Sequence, residues 1–129
     1  MKMNIDCIRD VMLTIEDQLE FGEQWTIDTL HTLLPNYAED ELQYVCLKLH
    51  EGGYLNVLTI NVLGCASPLV ARIHDLTFAG HEFLETIRPK TVFEKTKSIA
   101  KNLGTQSLSA ITQIATSVLP EVINSYLNK

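Results

Sequence analysis

Between Glu51 and Phe83 the chain reads EGGYLNVLTINVLGCASPLVARIHDLTFAGHEF, and this stretch limits the possible folds more than any other. Gly52 and Gly53 offer the left-handed conformation that closes a helix. Two runs rich in Val, Ile, Leu and Thr follow, and "GCAS" between them is small enough to turn an antiparallel pair. Thr77 then stands where an N-cap belongs, ahead of a helix expected to bury Phe78, Phe83, Leu84 and Ile87 and to end at Arg88-Pro89.

Helical spacing surrounds that hairpin. In NIDCIRDVMLTIEDQLEFG, Ile8, Val11, Met12, Ile15 and Leu19 recur on one side, with Asn4 as N-cap and Gly22 as the stop. "EQWT" is read as a short first strand. Thr26 caps a brief second helix with Ile27, Leu30 and Leu34 inside, and Pro35 stops it. The third helix, AEDELQYVCLKLHEGG, buries Leu42, Val45, Cys46 and Leu49. Three helices, a hairpin and a further helix predict a mainly α fold with a small β-hairpin, namely a winged helix-turn-helix over residues 1–88. C-terminal helices follow over 89–129 as an oligomerisation or docking extension.

In that extension Leu108, Ile111, Ala115, Val118 and Val122 form a heptad-like stripe, which predicts self-association, with packing on the winged helix of the same chain as the alternative. Ile114, Leu119, Ile123, Tyr126 and Leu127 form a second apolar row, and Pro120 predicts a kink or break near Leu119. A membrane span is disfavoured because Gln106, Thr112, Gln113, Thr116, Asn124 and Pro120 interrupt the apolar residues.

At CIRDVMLTIED, LHEGGYLNV, LTFAGHEFLETIR and FEKTKSIAKNLGTQSLSAITQIA the chain resembles a family of uncharacterised domains of bacteria and their prophages. The resemblance implies a winged helix with a C-terminal helical extension and a mobile-element setting. It implies no catalytic residues.

Charge decides between functional classes. Residues 1–87 hold four Lys/Arg and fourteen Asp/Glu, net −10, whereas residues 88–129 hold six and two, net +4. A winged helix that reads DNA presents cations and amides from its third helix and wing. Here the leading turn of that helix is Glu39, Asp40 and Glu41, and the wing tip Gly64–Pro68 carries no charge. Gln43, Tyr44 and Lys48, with Asn36, are the candidate DNA contacts there, fewer than the about 6–10 phosphate contacts common in strongly salt-dependent binders. Lys90, Lys95, Lys97 and Lys101, with Arg88, add a basic cluster, which is also what a solvated amphipathic helix shows.

A protein partner at Glu39, Asp40, Glu41, Gln43 and Tyr44 is therefore favoured. The alternative is a dimeric DNA-binding regulator, and a third class is a membrane-associated effector. Catalysis, cofactors, metals and small-molecule substrates are not expected, because His81-Glu82 lacks a second histidine at metal-ligand spacing and no phosphate loop or nucleophile signature appears. Three cysteines without a C-x-x-C pair, and no apolar leader, predict a reduced cytoplasmic setting.

Overall fold

The computed structural model describes residues 1–105 and 107–128; Gln106 and Lys129 lie outside them. The described residues form α1 (Ile5–Gln18), α2 (Ile27–Leu33), α3 (Glu39–Glu51), β1 (Leu55–Ile60), β2 (Leu69–Leu76), α4 (Phe78–Ile87), α5 (Lys90–Leu103) and α6 (Leu108–Leu127). This is a mainly helical chain with one two-stranded antiparallel hairpin. Two compact units divide within α4: residues 3–81 with Met1, and residues 82–129 with Lys2. That division lies N-terminal to the boundary read at Arg88, because Phe83, Leu84 and Ile87, all buried, belong to the second unit.

In the first unit, Asn4 accepts from the amides of Asp6 (3.0 Å) and Cys7 (3.4 Å), and α1 buries Cys7, Ile8, Val11, Met12 and Ile15. Each such aliphatic side chain contributes about 1.5–3 kcal/mol by leaving water. The helix stops at Gln18 rather than at Gly22, which serves the following turn with φ +85°. Thr26 caps α2, whose buried residues are Ile27 and Leu30, while Leu34 is only half-buried. Tyr37, in the link to α3, is itself buried and donates its hydroxyl to Asp10 on α1 at 2.6 Å. Helix α3 buries Leu42, Val45, Cys46, Leu47 and Leu49, and Gly53 at φ +84° turns the chain into β1.

The hairpin has two register irregularities, between Asn56 and Val57 and between Leu58 and Thr59. Its loop runs from 61 to 68, wider than the four residues read from sequence, since Asn61, Val62 and Leu63 do not pair. The expected first strand is a single bridge: Trp25 donates to the Ile73 carbonyl (3.0 Å) and accepts from the Ile73 amide (2.7 Å).

The Leu-Thr-x-x-Gly segment is a structural clasp. The Thr77 amide donates to the Tyr54 carbonyl (3.1 Å), the Thr77 hydroxyl donates to the Gly53 carbonyl (2.5 Å), and the Gly80 amide donates to that hydroxyl (3.0 Å). A Cβ at Gly80 would overlap the Tyr54 carbonyl, so only glycine fits. Phe78, expected inside, is 80% exposed and opens the first turn of α4 beside the Thr77 cap.

In the second unit α5 and α6 pack on each other, a helical hairpin closed by Gly104 in the left-handed conformation (φ +71°) and by the Ser107 cap on Ala110 (3.4 Å). Val92, Phe93, Thr96 and Ala100 are buried on α5, and Ile111, Ala115, Val118 and Val122 on α6. Of the kink or break expected near Leu119, the break does not occur: α6 runs through Pro120 to Leu127. The hydroxyls of Thr112, Thr116 and Ser117 bond back to the carbonyls of Leu108, Thr112 and Gln113 at 2.7, 2.8 and 3.0 Å, which lets polar residues sit in this apolar helix.

Candidate functional site

Helical phase sorts the α3 side chains onto three sides. One side is the core stripe, and a second meets the hairpin: Gln43 Oε1 accepts from the Val70 amide at 2.6 Å, and His50 Nδ1 lies 3.0 Å from the Leu55 carbonyl. Gln43, a candidate for reading bases or meeting a partner, thus spends its oxygen holding β2. The third side, spaced i, i+4, i+8, i+11, carries Asp40, Tyr44, Lys48 and Glu51, with Glu41 beside Tyr44.

Charge on that outward side is mainly negative. Lys48 Nζ bonds Glu51 Oε2 at 2.8 Å and sits 5.4 Å from the Tyr44 ring centroid. The Glu51 hydrogen bond raises the lysine's pKa, so Lys48 stays charged but neutralised by its neighbour. Glu39 turns toward His31, 3.5 Å away. The N-cap, Ala38, supplies no side-chain hydrogen bond, so the three acids of the first turn also answer the positive helix end. Glu41 further raises the pKa of Cys7, after burial, the larger cause.

Glu51 on this surface and Arg72 on β2 were not singled out in the sequence. Glu51 lies on the face with Asp40, legible as an i, i+11 relation but hidden by its position beside the glycine pair. Arg72 is the one Lys or Arg between Tyr54 and Leu76, and its Nη1 donates to the adjacent Ala71 carbonyl at 2.8 Å.

In the second unit Lys90, Lys97 and Lys101 do share one side of α5, but Glu94 falls among them at i+4 from Lys90, and Lys95 lies elsewhere on the helix. Arg88 engages Glu85 through Nε (3.1 Å) and Nη2 (2.6 Å). The α6 stripe proposed for self-association is already consumed: Ile111, Ala115, Val118 and Val122 are at most 5% exposed within one chain, and Leu108 is half-buried. A stripe covered by its own chain has no face left for a second subunit. The second row is less covered, with Ile123 at 46% and Leu127 at 76%.

Ile99, Gln113, Ile114, Ser117, Val118 and Glu121 line an open groove of about 360 Å³ on this unit; it lacks the enclosure and convergent polar groups of a small-molecule site. Among the described residues no three His, Cys, Asp or Glu side chains gather as metal ligands, and His81 lies 3.5 Å from Glu16. No helix among them is long and apolar enough to cross a membrane.

Fold and surface together define a small helical protein with a β-hairpin, distinguished by charged helix faces. The profile of the family described as hypothetical protein DUF2513 matches residues 2–107, and the chain belongs to that family. It is also similar to an uncharacterized protein of Haemophilus influenzae, 30% identical over 128 residues that cover 95% of this chain and 99% of that protein. No solved structure matches it.

Proposed function

We propose that the chain is a non-enzymatic winged-helix regulator or adaptor that binds another protein through the acidic outer side of α3. Support for the winged-helix reading is the order α1–α2–α3, hairpin, α4, with Trp25 bridged to β2 as a vestigial first strand. The observation that carries the function is the makeup of the face a DNA reader would present: Asp40, Glu41 and Glu51 surround Tyr44, and its lone cation, Lys48, is tied to Glu51. A basic protein surface suits that face, whereas phosphates would meet net negative charge. The mobile-element setting rests on the family resemblance.

The test is an Asp40→Lys, Glu41→Lys double variant. Both positions lie outside the core, so circular dichroism should be unchanged while a partner recovered with the wild type is lost. Retention of that partner sinks the reading. A second reading, a dimeric DNA-binding regulator, draws on the row of Lys90, Lys97 and Lys101. It predicts duplex binding that weakens steeply with salt and disappears in a Lys97→Glu, Lys101→Glu variant.

A further inference from the structure

β1 is the edge of the hairpin, and the direction of its backbone groups follows from its neighbours. Ile73 exchanges both main-chain hydrogen bonds with Trp25, and the Val70 amide donates to Gln43. Both residues therefore turn away from β1, and their partners across the ladder, Val57 and Thr59, must do the same in the opposite sense. The His50 contact to the Leu55 carbonyl agrees with this alternation. The N–H and C=O groups of Val57 and Thr59 thus point to a side where, among the described residues, no further strand lies.

Protein edges that avoid pairing carry lysine, proline or inward charge. This one carries none: Tyr54 to Ala71 contains no charged side chain, and the first proline after β1 is Pro68. Leu58 and Ile60 stand on the outer face of the strand, 51% and 46% exposed. The geometry points to β1 of a second copy of this chain as the occupant, added antiparallel about a two-fold axis at Leu58. That axis sets Val57 opposite Thr59 of the second copy, and vice versa, so four main-chain hydrogen bonds use the four outward groups. Leu58 meets its own counterpart at a closely spaced, non-hydrogen-bonded pair. Neutral side chains make the match self-complementary, since a charged edge would face its own sign across the axis. A strand pair alone is smaller than the roughly 800 Å² per partner of stable complexes, so the dimer is concentration-dependent. The inference goes beyond the proposed function and is independent of what α3 binds.

Light scattering and amide exchange over a concentration series test it. The mass should rise toward twice 14.5 kDa, with the Val57 and Thr59 amides becoming protected in step. Leu58→Lys puts like charges at the axis, and Thr59→Pro deletes an outward donor that no strand within the chain uses; each should hold the mass at 14.5 kDa with an unchanged circular dichroism spectrum. A wild type that stays monomeric at 100-fold dilution steps up to about millimolar, where weak pairs with Kd near 1 mM form, overturns the proposal and leaves the edge to a strand of a different protein. So does a dimer that survives both variants. Either result leaves the acidic-face reading intact, because that reading is judged by loss of the partner in the Asp40→Lys, Glu41→Lys variant.

Discussion

Three weak acids in the first unit stabilise the fold in their protonated forms. Burial, reinforced by Glu41 and Asp10, pushes the Cys7 thiol from 9.0 up to about 12. Burial raises Cys46 as well, and burial with the Asp10 hydrogen bond raises the Tyr37 phenol above its ordinary 10.0. The folded state holds these protons more tightly than the unfolded chain, so their contribution is complete below pH 9 and is lost as pH rises from there through the folded values. Urea midpoints should fall progressively above pH 9, and Cys46→Ala should flatten that decline even if it lowers stability at pH 7. In the native protein a thiol reagent should titrate Cys65 alone, since Cys7 and Cys46 are buried. Gly80→Ala gives a separate test of the clasp: despite the better helix propensity of alanine, overlap with the Tyr54 carbonyl should cost about 1–3 kcal/mol, measured by denaturant unfolding.

Among the elements, α5 and α6 carry two departures from ideal helix chemistry that substitution should expose. Thr96 is fully buried and its hydroxyl has no hydrogen-bond partner. Thr96→Val should therefore stabilise the protein by about 1 kcal/mol, and no gain in melting temperature would mean that the hydroxyl is satisfied. Pro120 leaves the Thr116 carbonyl without its amide donor, so Pro120→Ala should also stabilise, by up to about 3 kcal/mol. The helix starts at Asn4, Thr26 and Thr77 were legible because a short polar side chain before an apolar run has one local job. The hairpin was legible from its β-branched runs. The width of its loop and the exposure of Phe78 were not, because each depends on what packs nearby rather than on local preference. Likewise, an apolar stripe at helical spacing states that something covers it without naming the cover; for α6 that cover lies within the chain.

At the scale of the whole molecule, the acidic and basic halves of the sequence fall largely into two separate compact units. The acids of α3 were legible as charges, but their neighbours were not. That Gln43 is engaged with Val70, and Lys48 with Glu51, arises from side-chain reach across a turn or an element, which residue identity alone does not encode. Val118→Asp should accordingly unravel the second unit, seen as rapid proteolysis after α4, rather than merely separate subunits.

The mutual cover of α5 and α6 also sets a limit on trimming. The family match ends at residue 107, just before α6, yet a polypeptide shortened there would bare Val92, Phe93 and Ala100 to water. Such a fragment should clump or be degraded, so the last twenty-odd positions, though beyond the shared signature, are as necessary to a well-behaved product as any within it.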